Sequence, residues 1–224
     1  MTKVFSLPGF DNKGVLFDLD GTVADTATDL STPINQMRIE RGLPAMALDT
    51  LRPFASMGAR GLLSKGLGIT KEHADFESLR DDFLRRYEAD LCNKTKLFDG
   101  MGQVLDALDE AGIPWGIVSN KLERYVRIVA NYLQITSRSR ALIGGDTTGF
   151  AKPHPQPLYL GAKQLGMAPE SCIYIGDDRR DIEAAKAAGM RSVAAAYGYC
   201  GVTEDPPNNW GANWLINTPS ELLA

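Results

Sequence analysis

Apolar side chains return at helical intervals between residues 28 and 93. Ile34, Met37 and Leu43 do so first, and Leu79, Phe83, Leu84, Tyr87 and Leu91 more strongly, among many charges. Positions three and four apart share one face of a helix. No strand-like run interrupts this stretch, so it reads as a small all-helical bundle. Before it stands the apolar run Val15-Leu16-Phe17, which soon meets Gly21 and reads as a short buried strand.

From residue 97 the texture changes to alternating elements. Residues 113–118, 141–143, 173–175, 192–195 and 214–216 read as strands, and 122–133, 156–165, 181–188 and 219–223 as helices. Pro155 and Pro157 lie near the first turn of the second of these helices, and Gly189 ends the third. Such alternation predicts the α/β class, with a parallel sheet covered by helices on both faces. The bundle is then an insertion. The expected division is a core over 1–27 and 94–224 and a helical domain over 28–93, joined through 24–27 and about 95–99.

Composition narrows the setting. The 224 residues suffice for one core with a modest insertion, and 44% hydrophobic with 23% charged residues is ordinary for a soluble globular protein. A net charge of −4 without a Lys/Arg run gives no reason to expect nucleic acid. No apolar stretch approaches the roughly 20 residues a membrane span needs, and no signal peptide is evident. Three cysteines, Cys92, Cys172 and Cys200, form no Cys-x-x-Cys pair, so a reducing cytoplasm is the simplest location. Only His73 and His154 are available, which argues against a His-rich zinc site or a Ser-His-Asp hydrolase. The expected assembly is a monomer or homodimer.

The chemistry gathers where predicted strands end. Asp18-Leu19-Asp20-Gly21-Thr22 follows the first strand. Residues two apart on a strand face the same way, so Asp18 and Asp20 are expected to crowd one small space. Unpaired, they repel, and a divalent cation such as Mg2+, which prefers hard oxygen ligands, resolves the conflict. Ser119-Asn120-Lys121 follows the strand over 113–118. Ser119 and Asn120 either bind phosphoryl oxygens or cap the next helix. Lys152 precedes Pro153-His154-Pro155 in a stiffened loop, either as an exposed lysine or as a partner for a carboxylate and a phosphoryl group. Gly176-Asp177-Asp178-Arg179-Arg180-Asp181 follows the strand over 173–175. Asp177, first after the strand, is a metal-ligand candidate, while Asp178 and Asp181 also suit a helix N-terminus. Within the insertion, Gly58-Ala59-Arg60 lies between two expected helices. Gly58 permits a tight turn that aims Arg60 at the core, with Arg52 the next candidate for a substrate contact.

Taken in order, Asp18-x-Asp20-x-Thr22, Ser119, Lys152 and Gly176-Asp177-x-x-x-Asp181 resemble the four motifs of the haloacid-dehalogenase (HAD) superfamily of phosphatases. An insertion after the first motif resembles the C1 cap group. Lys96-Leu97-Phe98-Asp99-Gly100-Met101, Gly116-Ile117-Val118-Ser119-Asn120-Lys121 and the run from Asp181 to Gly189 look like the phosphoglycolate-phosphatase-like branch. Gly58-Ala59-Arg60, Gly176-Asp177-Asp178, Tyr197-Gly198-Tyr199 and the run from Pro206 to Ala212 are similar to N-acetylmuramic acid 6-phosphate phosphatases. Asp178 departs from the Ser of many phosphoglycolate phosphatases.

The resemblance implies a HAD-like fold and hydrolysis of a small phosphorylated metabolite, 2-phosphoglycolate or N-acetylmuramic acid 6-phosphate. Asp18 would be the nucleophile and Asp20 the general acid and base. Ser119, Asn120 and Lys152 would hold phosphate. Mg2+ would sit on Asp18, the Asp20 backbone carbonyl and Asp177, with Thr22 and Asp181 in support. A dehalogenase has no use for Asp20 as an acid. A phosphomutase of the β-phosphoglucomutase type shares the chemistry and stays open. A phosphorylatable signalling module needs neither the insertion nor Asp20. No Walker-type run is present, which argues against a P-loop ATPase.

Overall fold

Val15 and Phe17 turn to one side of the first strand and Leu16 to the other. They thereby enter two different apolar cores. In the computed structural model, which describes residues 4–9, 14–202 and 205–224, this strand is β1 (Gly14–Phe17), buried at every position. Burial on both faces is what helices on either side of a parallel sheet require.

After β1 the chain forms β2 (Ala24–Asp25) and four helices, α1 (Ala27–Glu40), α2 (Leu48–Ala55), α3 (Gly58–Leu67) and α4 (Phe76–Ala89). It returns through β3 (Lys96–Leu97) to α5 (Met101–Glu110), β4 (Trp115–Val118), α6 (Glu123–Tyr132), β5 (Leu142–Ile143) and α7 (Gln156–Leu165). Then come β6 (Cys172–Gly176), α8 (Arg179–Ala187), β7 (Arg191–Ala195) and β8 (Trp214–Ile216), and a short 3-10 turn at Pro219–Leu222.

The main sheet runs β5-β4-β1-β6-β7-β8, with every neighbouring pair parallel. From β1 the chain builds outward through β4 and β5, then crosses back to β6 and builds the other way. The order therefore reverses between β1 and β6, the place where open α/β sheets bind ligands at their carboxyl ends. Val104, Leu105 and Leu108 of α5 and Val126 and Val129 of α6 pack with Val15 and Phe17 on one face. Leu158 and Ala162 of α7 and Ala184 and Ala185 of α8 pack with Leu16 on the other.

The four inserted helices pack around their own cluster of Leu30, Ile34, Met37, Leu51, Phe83 and Tyr87, which Tyr125 and Tyr199 of the core join. The connections to the insertion, read from the sequence as plain linkers, pair with each other. Ala24 lies opposite Leu97 and Asp25 opposite Lys96 in an antiparallel ribbon too short to leave a periodic pattern. Asp29 of α1, buried, accepts the backbone N–H groups of Lys94 and Thr95 and the Thr95 hydroxyl, which pins the returning chain to the outgoing helix.

Two elements start two residues away from where the sequence suggests, and one helix is additional. The strand expected from 113 begins at Trp115, because the Ile113 N–H closes the end of α5 on Leu108 and Pro114 has no N–H to pair. The helix expected from 181 begins at Arg179, because Asp178 caps it. Finally, α5 was not singled out in the sequence although its apolar face is well formed. Among the described residues no helix is long and apolar enough to cross a membrane.

Candidate active site

Parallel pairing of β1 with β6 sets Phe17 beside Ile175, so the residues just past each strand, Asp18 and Asp177, emerge side by side. Asp181 reaches the same point from the first turn of α8. Carboxylate oxygens of Asp18, Asp177 and Asp181 lie within 4.8 Å of one another, and all three residues are buried. Lys152, only 4% exposed, puts its Nζ 3.0 Å from Asp18 Oδ1 and 2.7 Å from Asp181 Oδ1. The same ammonium donates to the Tyr174 hydroxyl at 2.7 Å and to the Val118 carbonyl at 3.1 Å.

Three carboxylates and one ammonium leave this buried group short of positive charge. Burial, then the charges of Asp18 and Asp181, push the Asp177 carboxyl well above its ordinary value. Burial likewise pushes Asp181 up to about 7, against the pull of Lys152 and with Asp18 and Asp178 adding to it. Burial works against the Lys152 ammonium too, but Asp18 and Asp181 outweigh it and raise its pKa. Asp18 Oδ1 receives no aligned hydrogen bond beyond its ionic contact with Lys152. An all-oxygen donor set of this charge can hold a hard divalent cation.

The acid cluster is braced from the loop after β7. Asp177 accepts from the Thr22 hydroxyl at 2.9 Å and from the Tyr199 N–H at 2.8 Å, and the Tyr197 hydroxyl donates to the Thr22 carbonyl. Gly21 has φ +89°, and a Cβ there would lie 2.1 Å from Asp177 Oδ2. A Cβ at Gly198 would lie 2.3 Å from that of Asp177. Glycine at both positions is what lets two loops close on one carboxylate. Tyr197 and Tyr199 entered the sequence reading only as a likeness to relatives; their contacts are specific to the folded chain.

Asp20 does not join Asp18 in the carboxylate cluster, although alternation along a strand suggested that the two would crowd together. β1 ends at Phe17 and the chain turns at Leu19, so period-two geometry does not reach Asp20. The Asp20 carboxylate instead takes the Lys121 ammonium at 3.0 and 3.1 Å and the Thr26 hydroxyl at 2.6 Å. It stands outside the three-carboxylate cluster. Each aspartate has its own lysine.

Lys121 is the functional candidate that the sequence reading passed over. Its side chain is 6% exposed, and its Nζ also lies 4.8 Å from the ring centre of Tyr87 on α4. The available signal was its place right after Ser119-Asn120 at a strand end. Ser119 is buried, with its hydroxyl accepting the Lys121 N–H at 3.3 Å. Both ends of the Asn120 amide are taken by the Lys152 backbone, at 2.9 and 2.8 Å. The Asn120 side chain therefore positions Lys152.

A cavity of about 500 Å3 is lined by Asp18, Asp20, Ser119, Lys121 and Lys152 from the core and by Arg60 from the insertion. Arg60 is exposed in the first turn of α3. Arg52, the alternative, is committed to Asp25 of the β2–β3 ribbon at 2.9 Å. His154 is stacked on Phe150 with ring centres 4.1 Å apart, in the loop before α7.

Residues 15–195 match the haloacid dehalogenase-like hydrolase family. The chain is 45% identical over 213 residues to a phosphoglycolate phosphatase of Xanthomonas campestris pv. campestris, covering 94% of each. It is 41% identical over 210 residues to an N-acetylmuramic acid 6-phosphate phosphatase of Pseudomonas putida, again covering 94% of each. Among solved structures, a predicted phosphoglycolate phosphatase from Haemophilus somnus superposes with a TM-score of 0.81 at 26% identity, covering 97% of this chain and 98% of that one. The chain belongs to the haloacid dehalogenase-like hydrolase family, as one of its phosphoric monoester hydrolases.

Proposed function

We propose that this chain is a Mg2+-dependent phosphomonoesterase of the phosphoglycolate-phosphatase-like group, acting on a small phosphorylated metabolite through an aspartyl-phosphate. The observation that carries the reading is the buried contact of Asp18 with Lys152, beside Asp177 and Asp181, on the wall of a cavity shared with the insertion. An ammonium against a carboxylate nucleophile also attracts the phosphoryl oxygens that the nucleophile must approach.

In the first step an Asp18 oxygen attacks phosphorus. The ester P–O bond breaks, and the leaving oxygen takes a proton from Asp20. In the second, water attacks the aspartyl-phosphate and gives a proton to Asp20, and the bond from phosphorus to Asp18 breaks to release inorganic phosphate. Separate partners, Lys152 for Asp18 and Lys121 with Thr26 for Asp20, suit two carboxylates with different tasks. Lys152 and the Ser119 hydroxyl hold phosphoryl oxygens, with Lys152 steadied by Asn120 and Tyr174. Asp18, Asp177 and the Asp20 carbonyl would hold Mg2+, which would supply positive charge to offset that of the carboxylates and phosphoryl oxygens.

The insertion chooses the leaving group. It lines the cavity with Arg60, Lys71 and Arg80 and with apolar Phe83 and Leu84, whereas the acids there, Asp18, Asp20, Asp178 and Asp181, all come from the core. A leaving group with a carboxylate fits those cations. Both 2-phosphoglycolate and N-acetylmuramic acid 6-phosphate carry one, and a cavity of about 500 Å3 with an apolar wall favours the larger. The test is kcat/KM over a panel containing both esters, β-glucose 1-phosphate and p-nitrophenyl phosphate, alongside Asp18→Asn. The carboxylate esters should lead the panel, and Asp18→Asn should be folded and inactive. Full activity in a verified Asp18→Asn variant, with deamidation excluded, would sink the mechanism.

A further inference from the structure

Arg180, in the first turn of α8, is bound on one side by Asp178. Its Nε donates to Asp178 Oδ1 at 2.7 Å and its Nη2 to Oδ2 at 2.8 Å. The same Nη2 donates to the carbonyl oxygen of Ser56 at 2.8 Å, across 124 residues of sequence. Ser56 is the C-cap of α2. Its carbonyl is therefore one of the groups a helix end leaves unsatisfied, and a cation there also complements the helix dipole.

The contact matters because of the residues it holds in place. Met57, Gly58, Ala59 and Arg60 continue from Ser56 and line the cavity. Gly58 sits at φ +57°, so the turn has a definite, sharp course. On its other side Arg180 is tied to the acid cluster. Asp178 caps α8 by accepting the Arg180 N–H, and its own N–H donates to Asp181 Oδ2. Asp181 in turn holds Lys152. An unbroken series of polar contacts thus runs from Lys152 through Asp181, Asp178 and Arg180 to the turn that carries Arg60.

We propose that Arg180 is a positioning residue that fixes the 56–60 turn of the insertion against the phosphoryl site, with Asp178 as its anchor, and so governs which leaving group Arg60 meets. This rests on the phosphatase reading above. The guanidinium suits the task because its planar fork grips a carboxylate with two N–H groups and still reaches a third acceptor. A lysine offers a single point of charge. The task also suits an aspartate at 178, since both of its oxygens are engaged by Arg180.

The experiment compares wild type, Arg180→Ala, Arg180→Lys and Asp178→Ser on N-acetylmuramic acid 6-phosphate, 2-phosphoglycolate and p-nitrophenyl phosphate. Amide hydrogen exchange over residues 57–60 is followed in parallel. Arg180→Ala should speed that exchange by about tenfold or more, and should lower kcat/KM on the better carboxylate ester at least about tenfold more than on the aryl phosphate. Arg180→Lys should fall between. In an Arg60→Ala background, Arg180→Ala should add less than about threefold, because both act through one turn. Unchanged exchange together with additive losses overturns the proposal and makes Arg180 a direct substrate contact. Equal losses on all three esters also overturn it and place the damage at Asp181 and Lys152. Should Arg180→Ala not fold, Asp178→Ser carries the same comparison, since serine still caps α8 but releases the guanidinium. Failure of the phosphatase reading looks different. No ester is then turned over by wild type, while the exchange over 57–60 still decides what Arg180 does.

Discussion

Asp20 and Lys121 make the most consequential pair at the scale of single residues. The Lys121 ammonium is buried between the Asp20 carboxylate and the face of Tyr87. Removing one partner of a buried ion pair leaves the other charge uncompensated, which typically costs about 3–5 kcal/mol. Lys121→Met should therefore lower stability by about that amount in urea denaturation. It should also depress kcat/KM far more for an alkyl phosphate than for p-nitrophenyl phosphate, whose leaving group needs no proton. A gap of about tenfold or more between the two substrates is expected if Asp20 is the acid that Lys121 orients. Equal losses on both would reduce Lys121 to a structural role.

Single elements show how little regular structure is needed to hold the insertion in place. The β2–β3 ribbon is two residues long on each side and cannot be stable by itself. Asp29 does the holding from α1, with three donors from Lys94 and Thr95 on its carboxylate. Charge-assisted bonds to a buried carboxylate are worth about 1.5–3 kcal/mol each before the effects of relaxation. Asp29→Asn keeps the shape and loses the charge. It should lower the urea midpoint by an amount equivalent to about 1–3 kcal/mol and speed hydrogen exchange at Lys94 and Thr95 before it affects the main sheet. Unaltered exchange at those two amides would mean that the ribbon and the apolar contacts of α1 suffice.

The whole molecule carries a buried excess of negative charge, and its stability should report it. Asp177 and Asp181 have their pKa values raised in the fold. The metal-free native state therefore binds more protons than the unfolded chain, and stability falls as pH rises from about 4 through about 7. A divalent cation competes with those protons. Saturating Mg2+ should raise Tm more at pH 8 than at pH 5, and EDTA should abolish both that gain and turnover, with recovery on adding Mg2+ back. Ca2+ should raise Tm while supporting little catalysis, because its looser coordination misplaces the attack. A metal-free Tm that climbs steadily from pH 5 to pH 8 would contradict the charge reading of the cluster.

Some of this was determined by the sequence alone. Short apolar runs at residues 15–17 and 173–175, each followed by aspartates, mark buried strands whose ends carry chemistry, because both the strand period and the need to end burial at a polar residue are local. The helical period over 79–91 is local in the same way, so α4 was legible while the two-residue ribbon was not. Which charge meets which was not legible. Lys152 reaches Asp18 and Asp181, Lys121 reaches Asp20 across 101 residues, and Arg180 reaches Ser56 across 124. The hold of the Asn120 side chain on the Lys152 backbone, 32 residues away, was equally hidden. Spacing along the chain says nothing about such pairs. They exist because β1 lies between β4 and β6, which brings three strand ends and one inserted turn to a single point where buried charges must find partners.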